Sequence, residues 1–387
     1  MMTILLVIIY ASFISLGLPD SLLGSAWPTM YMDLKVLVSY AGAISMVVAS
    51  GTIISSFFSV KIIRRFGTGK VTAFSVLMTA VALLGFSVSK NYIFLCIFSI
   101  PLGLGAGSVD AALNNFVALH YKARHMSWLH CFWGVGATVG PIIMSYCLKK
   151  RNWSLGYRTI GLIQITLAAI LFISLPIWKK VGKSQSNSSD NASSDLGFRE
   201  LLKIKGAKFA FLSFFFYCAL ESTCGLWGSS FLVLQRGISP EIAARWISMF
   251  YMGITFGRFV SGFLMIKIST SKMIRIGQGI IFTSVLLMML PIRDMFLGWA
   301  LFFTGVGCAP IFPCMIHQTP EKFGAELSQA VIGIQMASSN VGTVFMPPFF
   351  GLIADKISIA LYPYFLCMSL IFMIVMTEGV RKVSRAT

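Results

Sequence analysis

Charged residues are scarce in this chain: Asp and Glu number 13 and Lys and Arg 31 among 387 residues, while 57% of the residues are hydrophobic. A soluble domain carries about 25% charged residues, so this chain lacks the polar surface of a soluble enzyme. The sequence also lacks a nucleophile–base triad, a metal-ligand cluster and a phosphate-binding loop. Without that loop, the chain is not itself an ATP-driven pump. We predict an integral membrane protein that is not an enzyme and uses neither cofactor nor metal.

The apolar segments have the length of membrane-spanning helices. A helix that crosses the hydrocarbon layer needs about 20 apolar residues, and the alternating pattern of a β-barrel is absent. The segments predict an all-α membrane protein with twelve such helices. They lie near residues 3–30, 36–60, 71–89, 91–119, 126–149, 156–178, 207–234, 241–266, 273–290, 295–317, 326–350 and 359–379. The first segment carries no Lys or Arg before Pro19, so we expect a retained helix rather than a signal peptide.

A hydrophilic segment divides the predicted helices into two sets of six. Residues 179–206 are rich in Ser, Asn and Lys, which is the composition of a flexible solvated linker. We therefore predict an N-terminal six-helix bundle over 1–178, a cytoplasmic linker over 179–206, and a C-terminal six-helix bundle over 207–387.

The two predicted bundles resemble each other in their first helices. Asp20 is followed by Gly24 in the first bundle, and Glu221 is followed by Gly225 in the second, at the same spacing. Two parallel repeats of six helices are a known plan for membrane transporters, with the solute site near the midplane between them.

The net charge of +18 is distributed unevenly along the chain. If both termini are cytoplasmic, 20 of the 31 Lys and Arg lie in inner loops and the C-terminal tail, ten lie in outer loops, and Arg258 lies within a helix. This distribution follows the positive-inside rule. We expect a multi-pass protein of the plasma membrane with both termini in the cytoplasm. It would be a monomer in the lipid bilayer, and its charge indicates no nucleic-acid partner.

Three carboxyl groups lie inside predicted apolar helices: Asp20, Asp110 and Glu221. A carboxyl group in a bilayer is costly unless it is protonated, paired or hydrated. We therefore expect these groups to titrate protons or to bind solute in a central cavity. The competing interpretation is a carboxyl group that serves only to join two helices by a hydrogen bond.

Polar side chains accompany Asp110 on its own predicted helix and on the next one. Asn114 lies one helical turn after Asp110, so the two share a face. His130 and Trp133 share a stripe of the next predicted helix. A carboxyl, an amide and an imidazole together suit the hydroxyl groups of a small solute. Asn114 as helix-to-helix glue, and His130 as a proton relay or a structural partner, remain alternatives.

Fewer candidates lie in the second bundle. Trp227 could stack on the apolar face of a sugar or serve as an interfacial anchor. Gln335 and Asn340 are polar residues of the predicted helix 326–350 and are further candidates for solute binding. Arg258 needs a counter-charge or a carbonyl cage, and it is a candidate for either structural pairing or solute contact.

Several of these segments together resemble the major facilitator superfamily, and within it the fucose–proton symporter branch of sugar carriers. The matching segments are LPDSLLG around Asp20, DAALNNFV from Asp110, LHCFWGVGA around His130, ALESTCGLW around Glu221, GRFVSG, and PIFPCMIHQTPEKFG. The resemblance implies a fold of two six-helix bundles and proton coupling at Asp20. It also implies sugar binding at Asp110 and Asn114.

The chain departs from the family pattern at particular positions. His130 stands where the branch has a solute-facing Gln, and Glu221 takes a position that is polar in relatives. The loop between the second and third helices reads KIIRRFG, so Arg64 occupies the place of an Asp. Gating contacts that depend on that Asp are therefore not expected here.

The sequence predicts a secondary active transporter for a small polar solute, with a monosaccharide or polyol as substrate and proton symport by alternating access. Asp20 and Asp110 are the predicted proton-coupling groups, with sodium as the competing ion. A proton-coupled exporter of drugs or metabolites is the alternative, because the chain holds 33 Phe and could line a large aromatic cavity. A third class is a nutrient sensor or channel that does not perform active transport.

Overall fold

A computed structural model describes residues 2–121, 123–182, 204, 206–291 and 293–385. This part of the chain is almost entirely helical and contains no β-strand. The helices before the linker are α1 Met2–Asp20, α2 Leu22–Asp33, α3 Tyr40–Phe66, α4 Thr68–Val88, α5 Tyr92–His120, α6 Ala123–Leu148 and α7 Trp153–Gly182. Those after it are α8 Ala207–Leu234, α9 Pro240–Leu264, α10 Thr270–Met289, α11 Met295–His317, α12 Thr319–Phe323, α13 Ala325–Lys356 and, after the 3₁₀ turn Ile359–Leu361, α14 Tyr362–Arg385.

Eleven stretches of the described residues are long and apolar enough to span a membrane. The first, Met2–Asp33, holds both α1 and α2, whereas the last, Leu327–Val383, holds both α13 and α14. Since α13 and α14 are full-length helices on either side of a turn, the helices make twelve crossings, which confirms the predicted all-α membrane fold. Apolar side chains such as Phe57 (82% exposed) and Ile173 (80% exposed) point outward, as a lipid-facing surface requires.

The predicted helix boundaries agree with the structure to within a few residues at most ends, but three helices extend six residues further. The helices predicted to end at 60, 350 and 379 continue to Phe66, Lys356 and Arg385, and α7 continues past 178 to Gly182. The predicted linker 179–206 therefore begins as helix, and its residues 183–203 and 205 lie outside the described part of the chain.

The first crossing is interrupted, whereas the sequence predicted one helix over 3–30. α1 ends at Asp20, Ser21 forms a turn, and α2 begins at the next residue. Pro19 has no N–H, so the carbonyl of Ser15, four residues earlier, loses its usual helical partner. The Nε2 of Gln164, on α7, donates to that carbonyl at 2.8 Å instead. The break therefore lies directly at one of the predicted functional carboxyl groups.

Residues from the two halves contact each other near the α2–α3 and α13–α14 connections. The backbone N–H of Ser39 donates to Oδ2 of Asp355 at 3.0 Å. Close by, α3 and α13 approach so tightly that a Cβ on Gly42 would lie 2.6 Å from the Cα of Pro348. These contacts join the halves at one end and leave a cavity between them deeper in the protein.

Candidate functional site

The cavity between the two halves has two connected compartments. The larger compartment has a volume of about 340 Å³ and the smaller one about 270 Å³. Asp20, Thr52, Ala106 and Trp133 line both compartments, so these four residues mark where they meet. Sites for small molecules occupy about 300–1,000 Å³, so the pair is large enough for one small solute.

The smaller compartment is the more polar one. Its remaining walls come from Phe13, Leu16, Asp110, His130 and Arg258. Four of its lining residues are titratable: the two aspartates, the histidine and the arginine. Such a concentration of ionisable groups inside a membrane protein identifies this compartment as the leading candidate site.

Glycines bring α1 and α6 into backbone contact beside this compartment. A Cβ on Gly17 would lie 2.0 Å from the carbonyl oxygen of Trp133, and a Cβ on Gly136 would lie 2.0 Å from that of Ile14. No larger residue fits at either position without moving the helices apart. This approach puts the indole of Trp133 beside the end of α1, where its Nε1–H donates to Oδ2 of Asp20 at 2.7 Å.

Glycines on α5 have the same effect on its packing against α3. A Cβ on Gly103 or Gly107 would lie 2.2 Å from a carbonyl oxygen of α3, that of Val48 or Thr52 respectively. The Oγ1 of Thr52 in turn donates to the carbonyl of Gly103 at 3.2 Å. α5 is thereby held against α3, with Asp110 facing the compartment.

Asn114 orients the carboxyl group of Asp110. Its Nδ2 donates to Oδ1 of Asp110 at 2.9 Å and to the Asp110 backbone carbonyl at 3.0 Å. The two side chains therefore share a face, but the amide is not among the residues that line either compartment. Within the structure, Asn114 contacts the candidate site through Asp110.

His130 is exposed to the smaller compartment. Its ring packs edge-on against Phe13, with ring centroids 5.8 Å apart and an interplanar angle of 86°. Within the described residues its ring makes no hydrogen bond, so the imidazole is available to a solute in the compartment. An imidazole in this setting can donate or accept, according to its tautomer.

The larger compartment brings a carboxyl group of the second half to the same cavity. Glu221 lines it together with Asp20 and Tyr251, and Asn340 lies on its α13 wall. Most of its other lining is apolar, including Leu23, Ile44, Val48, Phe86 and Leu226. The cavity thus joins a polar compartment to a more apolar one.

Arg258 reaches the cavity from α9. Its guanidinium carbon lies 5.3 Å from the centroid of the Trp133 ring, on the ring face. Its charge also acts electrostatically on Glu221, although no ion pair within 4 Å is recorded for Arg258 among the described residues. Two alternatives followed from the sequence for Arg258, structural pairing or solute contact. In the part of the chain that the structure describes, Arg258 lies at the cavity wall without a close carboxyl partner.

Two of the predicted site residues lie away from this cavity. Trp227 is fully buried, and its Nε1–H donates to the carbonyl of Pro347 at 2.8 Å. Gln335 is buried as well, and its Oε1 accepts from Thr319 at 3.1 Å beside a separate small void. Both side chains already have protein partners, so the structure brings neither to the cavity.

Some cavity residues were not among the candidates from sequence. Thr52 stands at the junction of the compartments, and Tyr157, Ser222, Tyr251 and Thr343 line the larger one. Threonine, serine and tyrosine are common in membrane helices, where they often bond their own backbone. These five residues differ from other Ser, Thr and Tyr residues of the chain only in lying near Asp20 in the folded protein. No local sequence pattern indicates that position.

Within the described residues, no group of three or more His, Cys, Asp or Glu side chains is close enough to hold a metal ion. The predicted candidates that do meet in the cavity are Asp20, Asp110, His130, Trp133, Glu221 and Asn340. They supply hydrogen-bond donors and acceptors and sites for protons.

The chain is similar to several proteins of known sequence. It is 24% identical over 386 residues to Bypass of stop codon protein 6 of Saccharomyces cerevisiae, with 91% of this chain and 77% of that protein covered. It is 22% identical over 272 residues to the glucose/mannose transporter GlcP of Bacillus subtilis, with 68% of this chain covered. A putative glucose/galactose transporter of Helicobacter pylori is 26% identical over 285 residues, with 66% of this chain covered. The match spans just under two thirds of these two bacterial proteins, 66% and 65% respectively.

Solved structures share the fold over nearly the whole chain. A nucleoside transporter, NupG, superposes with a TM-score of 0.79 at 13% identity, covering 97% of this chain and 98% of that one. A bacterial homologue of the human lysosomal transporter Spinster gives a TM-score of 0.72 at 11% identity, covering 100% and 97%. At these identities the similarity concerns the fold.

The sequence profile of the Major Facilitator Superfamily matches residues 9–334 and 209–386, which together span almost the entire chain. This match agrees with the fold and with the family resemblance of the individual segments. Proteins of this family move solutes across membranes and are not enzymes. The chain belongs to the Major Facilitator Superfamily and is a membrane transporter.

Proposed function

We propose that this transporter moves a monosaccharide into the cell by proton symport and alternating access. The observation that carries the proposal is the smaller compartment, where Asp20, Asp110 and His130 surround one volume of about 270 Å³. The similarity to transporters of glucose, mannose and galactose supports a sugar as the solute.

The chemistry of the compartment suits a neutral polyhydroxyl solute. Carboxyl groups accept hydrogen bonds from hydroxyls, and an imidazole can accept or donate. Asn114 holds Asp110 in one orientation, so a hydroxyl pair would meet a fixed acceptor rather than a mobile one. A fixed arrangement of polar groups favours solutes whose hydroxyls match it.

Asp20 is the proposed proton-coupling group, with Asp110 beside it in the same compartment. Ionising a carboxyl group in the membrane interior is costly, so its proton occupancy is sensitive to the contents of the cavity. Asp20 is also the last residue of α1, directly before the turn at Ser21 that separates α1 from α2. A protonation change there would act at the junction of two helical segments.

The two six-helix halves, 1–178 and 207–387, would rock about the midplane cavity as alternating access requires. The contact between Ser39 and Asp355 closes one end of the cavity in this conformation. The distribution of Lys and Arg supports cytoplasmic termini in the plasma membrane, and the complete cavity within one chain supports a monomer.

Export of drugs or metabolites is the second candidate function. The larger compartment supports it, because Leu23, Ile44, Val48, Phe86 and Leu226 give it a mainly apolar wall. An apolar wall suits amphipathic solutes better than sugars. The two functions predict exchange of different solutes across the membrane: a sugar for the importer and an amphipathic drug or metabolite for the exporter.

Counterflow in proteoliposomes tests the proposal. Liposomes preloaded with unlabelled D-glucose should take up labelled glucose without any ion gradient. Absence of exchange with glucose and related hexoses, together with exchange of an amphipathic drug, would favour the exporter. Glucose leakage that does not depend on the internal sugar would indicate a channel. Uptake that is equal with and without sodium, at a fixed proton gradient, would exclude sodium as the coupling ion.

A further inference from the structure

We propose that Arg258 is the residue of the second half that binds the transported sugar, an inference that rests on the proposed function. Among the described residues that line the smaller compartment, Arg258 alone comes from the second half, and it faces a wall built from α1, α3, α5 and α6. A solute that fills this compartment therefore meets the second half at Arg258.

The packing of α6 against α9 fixes the position of this arginine. A Cβ on Gly134 would lie 2.2 Å from Oγ1 of Thr255, so the two helices are in direct contact there. Arg258 follows Thr255 by three residues and therefore projects from nearly the same face of α9, one turn further along. Trp133 lies next to Gly134, which explains why the guanidinium rests on the indole face.

The guanidinium has unused hydrogen-bonding capacity. It carries five N–H donors, and no hydrogen bond or ion pair from it is recorded within the described residues. A cation–π contact uses the charge of the group and leaves its in-plane donors free. A charged group inside a membrane protein needs polar partners, so the cavity contents must supply the acceptors.

The carboxyl groups on the opposite wall lie too far away to fill this role directly. Asp20 and Asp110 line the same compartment, but within the described part of the chain neither forms an ion pair with Arg258, and neither does Glu221 of the second half. A sugar hydroxyl can donate to a carboxyl oxygen and accept from an N–H at the same time. A monosaccharide in the compartment would therefore bridge the carboxyl groups of the first half to the guanidinium of the second half.

The geometry of the guanidinium also selects among hydroxyls. Its planar donors can reach two adjacent oxygen atoms at once, which a lysine ammonium cannot match. Adjacent hydroxyls on a sugar ring present that arrangement. We therefore expect Arg258 to recognise one particular hydroxyl pair of the solute.

The test measures binding of D-glucose and its monodeoxy analogues to the purified full-length protein in detergent. Arg258→Gln should weaken glucose binding about tenfold or more, because it removes charged donors from a buried contact. Arg258→Lys should give an intermediate loss. Removing the hydroxyl that Arg258 contacts should weaken binding to the wild-type protein but leave binding to Arg258→Gln unchanged.

Arg275→Gln is the matched control, because Arg275 pairs with Glu378 at an exposed position and neither residue lines the cavity. It should bind glucose and every analogue as the wild type does. Thermal unfolding of Arg258→Gln in detergent shows whether the variant is folded. If it is not folded, the same binding measurements with glucose and its deoxy analogues are made on Arg258→Lys.

The outcomes separate the two proposals. If the wild type binds glucose and both Arg258 variants keep its affinity and its response to every deoxy analogue, Arg258 does not bind the sugar, while the proposed function stands. If Arg258→Gln loses only gradient-driven uptake, the residue acts in coupling and the inference is wrong. If the wild type binds no hexose, the proposed function fails, and the inference fails with it.

Discussion

The indole N–H of Trp133 donates to Oδ2 of Asp20 across 2.7 Å, and the face of the same indole carries the guanidinium of Arg258. One aromatic side chain thereby contacts a carboxyl group of its own half and an arginine of the other half. Asp20 therefore lies beside the contact between Trp133 and Arg258, which joins the two halves. A change in the position or charge of Asp20 would act next to that contact.

Trp133→Phe removes the donor to Asp20 and keeps an aromatic ring. We expect gradient-driven uptake to fall more strongly than solute affinity, because the carboxyl group loses the hydrogen bond that orients it while an aromatic ring still lines the cavity. Uptake and binding measured on the same preparation check this. Trp153→Phe is the matched control, since Trp153 makes the same 2.7 Å bond to Asp33 away from the cavity. Equal loss of uptake in both variants would contradict a specific role for Trp133.

Asp20→Asn replaces the proposed proton-coupling carboxyl with an amide that cannot titrate. We expect uphill accumulation of sugar to be abolished, while exchange without a gradient continues. Counterflow and proton-driven uptake in the same proteoliposomes measure the two activities. Asp33→Asn removes a carboxyl group outside the cavity and should leave both unchanged. Persistent accumulation in Asp20→Asn would move proton coupling to another group.

Asp110→Asn and His130→Ala should each weaken sugar binding in detergent. Each removes one polar partner from a shared ligand, at a cost of about 1–3 kcal/mol. Their combined effect should be smaller than the sum, because both contact the same solute. Calorimetric titration of the two single variants and the double variant measures the coupling. Full additivity would indicate that the residues act on separate parts of the solute.

Gly253→Ala should destabilise the protein, because a Cβ at this position would lie 2.0 Å from the carbonyl oxygen of Phe302. Overpacking of this kind costs about 1–3 kcal/mol. Gly262, on the same helix α9, has no atom within 4 Å of a built Cβ, so Gly262→Ala should be neutral or slightly stabilising. Thermal unfolding in detergent compares the two variants. A lower melting temperature for Gly262→Ala than for Gly253→Ala would contradict this packing.

Much of the fold could be predicted from the sequence, because membrane crossings are encoded locally in long apolar runs. The predicted bounds 207–234 and 295–317 match α8 and α11 exactly as the structure gives them. The break at Ser21 could not be predicted in the same way. The hydrogen bond that replaces the one Pro19 removes comes from Gln164 on a distant helix, which no local pattern indicates.

Prediction of the candidate site was less complete. A carboxyl group inside an apolar helix is energetically costly unless it faces a polar cavity or a partner, so its presence indicates such a cavity. Asp20, Asp110 and Glu221 do line one. Tryptophan carries no such signal, since it is equally suited to a buried core, and Trp227 lies in the core with its N–H bonded to a backbone carbonyl. The role of each such residue depends on which neighbours the other helices bring to it.

The interruption of the first crossing gives its two segments different attachments. Gln164 ties α1 to α7 within the first half. α2 instead leans on the second half, where a Cβ on Gly24 would lie 2.3 Å from the carbonyl oxygen of Gly225. If the two halves move as proposed, α2 would follow the second half while α1 stays with its own bundle. Asp20 is the last residue of α1, so its carboxyl group would lie at the hinge between the two segments and change its orientation toward the cavity when α2 moves.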